Sequence, residues 1–73
     1  MPKLGVFSGA EVCRLLVEHG FEQVRQRGSH AVMQRRLNNT TITIPIPLHR
    51  ELCTGTLRAI IRQSGLAREI FER

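Results

Sequence analysis

Between Thr40 and Ile46 the chain alternates strictly, with Ile42, Ile44 and Ile46 separated by Thr43 and Pro45. A period of two in β-branched residues marks a strand buried on one face only. Such a strand needs a neighbour along its edge and a second layer over its isoleucines, and the rest of the chain has to supply both. Pro45 and Pro47 lack an amide donor and are expected to end the ladder. Upstream, Asn38-Asn39 reads as a hairpin turn, because Asn tolerates left-handed conformations. The segment from His30 to Leu37 is then the other arm. Ala31, Met33 and Leu37 face the core with Arg35 as the polar exception, while His30, Val32, Gln34 and Arg36 point outward. Gly28-Ser29 reads as a second tight turn, preceded by a weaker strand from Glu22 to Arg27.

The covering layer is helical. Ser8-Gly9-Ala10-Glu11 is a capping box, and Phe7 and Val12 stand at the two positions of a hydrophobic staple. Val12, Leu15, Leu16 and His19 fall on one face, Gly20 closes the helix, and Phe21 packs back on its last turn. Beyond the sheet, Thr54 is expected to cap a helix from about Gly55 to Ser64 that buries Leu57, Ile60, Ile61 and Ser64 and closes at Gly65. A short turn from Ala67 to Arg73 returns Ile70 and Phe71 to the core. The fold class is α+β in the order α-β-β-β-α, a three-stranded antiparallel sheet with its helices on one face and the other face open. Residues 1–73 make a single domain, since a second core would need roughly fifty more.

Charge narrows the function. Ten of the eleven basic residues are Arg. From Gln23 to Arg62 seven of them (Arg25, Arg27, Arg35, Arg36, Arg50, Arg58 and Arg62) stand against Glu51 alone. Arg offers a planar fork of donors suited to phosphate, so the basic middle points to nucleic acid, with a merely solvated basic face as the plain alternative. There is no Asp, and the six Glu are scattered, which disfavours a two-metal phosphoryl-transfer centre. Trp and Tyr are absent and the three Phe sit at core or staple positions, which argues against base-stacking platforms. His49 and Cys53 stand four apart, but nothing completes a four-ligand set, so neither metal nor other cofactor is expected. No stretch approaches the roughly 20 apolar residues of a membrane span. Only Leu4 to Phe7 is apolar near the start. The chain is therefore read as cytoplasmic and without a leader, with Cys13 and Cys53 as free thiols.

His30 is the strongest candidate for proton transfer, because it opens the central strand on the outward side, next to Arg25 and Arg27. An imidazole can exchange a proton near neutral pH; an exposed histidine after a turn can equally be a turn residue only. Ser29 as a nucleophile lacks a triad partner. His49 and Arg50, in the loop before the second helix, could bring a second imidazole and a guanidinium to a phosphate. The start of that helix, Thr54-Gly55-Thr56, offers free amides, though ordinary capping accounts for it equally well. Arg36, Arg58 and Arg62 complete the candidate RNA contacts.

Taken in order, several segments together resemble the HicA family of toxins: His19-Gly20-Phe21; Arg25-Gln26-Arg27-Gly28-Ser29-His30; Ile44-Pro45; His49; and Gly55-Thr56-Leu57-Arg58 through Gly65-Leu66. The resemblance spans nearly the whole chain. It implies a double-stranded-RNA-binding-domain-like fold and an mRNA interferase of a type II toxin–antitoxin pair, with His30 at the position of the family's catalytic histidine. It also implies a HicB-like antitoxin as partner, through which any oligomeric state would arise. Cleavage would then be metal-independent, with His30 as general acid or base. A non-catalytic RNA-binding module and a pure protein-interaction module are the two other classes.

Overall fold

The computed structural model describes residues 3–72. Their order is α1 (Gly9–Glu18), β1 (Glu22–Arg27), β2 (His30–Arg36), β3 (Thr41–Pro47), α2 (Thr54–Ser64) and a 3-10 turn (Arg68–Phe71). The strands form one antiparallel sheet in the order β1-β2-β3. The α+β class and the helix, three strands, helix order are as the sequence implies. Arg73, the last residue of the expected closing turn, lies outside the described residues.

α1 starts where its capping box dictates. The Ser8 amide donates to Glu11 Oε1 (2.9 Å) and the Glu11 amide to Ser8 Oγ (3.1 Å), so two otherwise orphaned helix donors are satisfied. At the other end Gly20 takes φ +95°, the Phe21 amide donates to the Leu16 carbonyl and the Gly20 amide to Val17. This is a Schellman closure, and it reverses the chain into β1. Val12 and Leu16 of α1, Leu57 and Ile60 of α2, Ala31 and Met33 of β2 and Ile44 and Ile46 of β3 make one buried cluster. Phe7 and Phe71 meet edge to face in it, their ring centres 6.1 Å apart. Both helices therefore cover the same side of the sheet. Leu4 bridges to Glu72, and the Gly5 amide donates to the Phe71 carbonyl, which ties the two ends of the chain together. None of the described helices is long and apolar enough to cross a membrane.

Several local expectations are corrected. Pro45 and Pro47 do not end the ladder; β3 runs through both, from Thr41 rather than Thr40. The Leu48 amide bonds the Ser29 carbonyl and the Leu37 amide bonds the Thr40 carbonyl, so the hydrogen-bonded pairs are the alternate ones that include Ala31–Ile46 and Met33–Ile44. Pro45 and Pro47 occupy the intervening pairs on an edge strand, where a nitrogen points away from β2 and no donor is missed. Leu37 falls past the end of β2 and is 41% exposed rather than in the core. Among the described residues no non-glycine residue has a positive φ, so Asn38-Asn39 turns with the sign pattern of a type I turn rather than its mirror image. Cys53, not Thr54, is the cap of α2. Its carbonyl accepts the Leu57 amide, which places Thr54 already inside the helix.

Candidate active site

The tight Gly28-Ser29 turn sets the register that builds the site. Gly28 has φ +59°, which its missing Cβ makes cheap, and the turn places Arg27 directly opposite His30. Two residues back the pairing slips. Gln23 pairs with Met33 but Arg25 with Val32, so Val24 is an extra residue in β1. The bulge leaves Val24 and Arg25 lining one shallow groove with Arg27, Val32, Gln34 and Thr43, about 370 Å³ in volume. That groove lies on the face the helices leave uncovered. The sequence gives no sign of the slip, since Gln23-Val24-Arg25-Gln26 has no Gly and no apolar alternation to betray it.

On the open face, therefore, stand Arg25, Arg27, His30 and Arg36, with Val32 and Gln34 between them on β2. His30 is exposed and is flanked by Arg27 on β1 and Pro47 on β3. Arg36 belongs to the opposite end of β2, six residues and about 20 Å along the strand. Arg35 points to the helical side, its Nε 3.4 Å from where a Cβ on Gly20 would stand. Arg58 and Arg62 are exposed on α2, in the layer on the far side of the sheet from the groove. The basic middle of the chain thus divides between two layers instead of forming one face.

The end of the sheet that carries His30 also gathers the β3–α2 loop. The Leu48 amide donates to the Ser29 carbonyl (2.6 Å), the Gly9 amide to the His49 carbonyl (2.9 Å), and the Leu52 amide to the Phe7 carbonyl (2.8 Å). Ser29, His49 and Arg50, with the first turn of α2 close behind in the chain, are brought to one pole with His30 and Arg27. Gly9 makes this possible. A Cβ there would fall inside contact distance of the Pro47 carbonyl oxygen and 2.8 Å from Leu48 Cα. The capping box located α1 but carried no sign of this close approach, which joins residues nearly forty positions apart.

Among the described residues no three His, Cys, Asp or Glu side chains converge as metal ligands would. Cys13 is buried and Cys53 exposed, and both are free. Cys53 Sγ lies 3.1 Å from Thr56 Oγ1; that hydrogen bond, followed by one to the Thr56 backbone, lowers its pKa below the usual 9.0. Burial pushes the Cys13 thiol up. The site can present guanidinium groups to a phosphate and an imidazole to a hydroxyl, in a place open to a large ligand. The comparisons with characterised proteins and with solved structures give no significant match. A family model described as HicA toxin of bacterial toxin-antitoxin matches residues 9–66, well over half of the chain.

Proposed function

Because the chain belongs to the HicA family of toxins of bacterial toxin–antitoxin systems, we propose that it acts as a metal-independent endoribonuclease on mRNA in the cytoplasm, with His30 as a proton-transfer residue. What supports the reading most is the position of His30, exposed on the uncovered face and directly across the strand pair from Arg27. With no carboxylate cluster among the described residues to hold activating metals, the nucleophile in this reading is the substrate's own 2′-hydroxyl. His30 takes its proton, O2′ bonds to phosphorus, and Arg27 and Arg25 offset the charge that builds on the phosphorane. The P–O5′ bond then breaks and the 5′-oxygen leaves with a proton. The products are a 2′,3′-cyclic phosphate and a 5′-hydroxyl.

Arg36 and Arg50 extend the phosphate contacts away from the reacting bond, Arg58 and Arg62 meet only RNA that wraps past the sheet onto the helical layer, and the Ser29 carbonyl ties its turn to the end of β3 by accepting the Leu48 amide. Recognition runs through phosphate and sugar, so sequence preference is loose. The partner is an acidic, HicB-like antitoxin drawn to the same basic open face, where it would occlude His30 directly. The test is RNA incubated with the purified chain in excess chelator, followed by analysis of the ends. Cleavage that persists and leaves cyclic phosphates supports the reading. Activity that vanishes on chelation and returns with magnesium overturns it, and retention of RNA without cleavage favours a non-catalytic binding module.

A further inference from the structure

Cleavage of this kind needs one group to accept a proton and another to give one, and His49 lies in the loop that leaves the sheet at the His30 end. His30 pairs with Pro47. The ladder continues one step past β3, because the Leu48 amide donates to the Ser29 carbonyl. In that continued register Leu48 faces the core, against which it packs, so His49 returns to the open face, two residues from Pro47 and diagonal to His30. Diagonal neighbours on one sheet face are about 7–8 Å apart and within reach of long side chains. The His49 carbonyl points away from β2, as this register requires, and accepts the Gly9 amide at 2.9 Å, which fixes the backbone that carries the ring. The His49 side chain is exposed.

The third histidine is no competitor. His19 follows the last turn of α1, where its Nδ1 donates to the Leu15 carbonyl at 2.8 Å; a helix of this length puts it about 15 Å from the Gly9 end. Arg50 and Glu51 follow His49 in its own loop, Arg27 pairs with the neighbouring His30, and Glu11 stands in the first turn of α1, two residues on from the Gly9 amide that holds the His49 carbonyl.

We propose that His49 is the second catalytic residue of this site, protonating the departing 5′-oxygen while His30 takes the proton from the 2′-hydroxyl. This rests on the ribonuclease reading above. One proton enters at His30, one leaves from His49, O2′–P forms and P–O5′ breaks, so the step balances without any added reagent.

The test uses full-length protein and an oligoribonucleotide cut at a mapped site, in two forms: natural, and with sulfur replacing the bridging 5′-oxygen, since a thiolate leaves without a proton. His49→Ala should slow cleavage of the natural substrate at least about 100-fold yet cleave the sulfur substrate within a few-fold of wild type. His30→Ala should be slow on both. His49→Gln serves as a second variant, and melting and RNA retention serve as controls for folding. Wild-type rates on the natural substrate, or a His49→Ala defect that sulfur does not relieve, would overturn the assignment. Wild-type protein that cleaves neither substrate would instead overturn the ribonuclease reading itself.

Discussion

Gly9 occupies the first turn of a helix, where Ala would ordinarily be favoured by up to about 1 kcal/mol. Here the added methyl would meet backbone atoms of Pro47 and Leu48, which cannot rotate aside as a side chain could. Gly9→Ala should therefore destabilise the protein by about 1–3 kcal/mol in urea unfolding; an alanine variant as stable as wild type would mean that the 47–49 segment yields. The two thiols make a second test at this scale. The hydrogen bonds from Thr56 favour the Cys53 thiolate, whereas burial disfavours that of Cys13. Alkylation of Cys53 should accordingly reach half its maximal rate at a pH below 9.0, and Thr56→Val should move that midpoint upward. Cys13 should react only as the protein opens. Equal labelling of both thiols in the native state would contradict this arrangement.

Pro45 shows what the local sequence carries and what it does not. That proline lacks a donor is legible from the residue; whether a donor is needed there depends on which pairs of the β2–β3 ladder are hydrogen-bonded, and only the long-range register decides that. Replacing Pro45 by Thr should cost no more than about 1 kcal/mol, mainly from a looser unfolded chain. Ile44→Pro, one residue away, removes a ladder donor and a fully buried side chain and should cost at least about 3 kcal/mol. Comparable stabilities by thermal melting would mean that the register is otherwise. The helix starts divide in the same way. Ser8 with Glu11 is a local reciprocal pair, so α1 could be read directly. Cys53 is not among the oxygen-bearing side chains that ordinarily cap helices, and nothing in the sequence marks it over Thr54. The Val24 bulge was equally hidden, because every residue of β1 is exposed and no hydrophobic pattern reports the slip.

At the scale of the whole molecule the net charge of +5 could be read in advance, but its division between two layers could not. The open sheet face carries Arg25 and Arg27 beside His30, while Arg58 and Arg62 belong to the helical layer. RNA seated on His30 should meet the first pair more closely. The slope of log affinity against log salt, roughly −0.7 per phosphate neutralised on a single strand, should flatten more for Arg25→Glu with Arg27→Glu than for Arg58→Glu with Arg62→Glu. The reverse order would move the RNA-facing surface to α2. His30 was legible as an outward residue after a turn, and the proposed chemistry draws on its place opposite Arg27 in the strand register. The most direct measurement is single-turnover RNA cleavage by His30→Ala, with RNA affinity and melting temperature determined on the same protein. If His30 transfers the proton, the rate falls at least about 100-fold with affinity within about twofold and melting nearly unchanged. Cleavage at the wild-type rate, or a loss explained entirely by unfolding or failed binding, would contradict it.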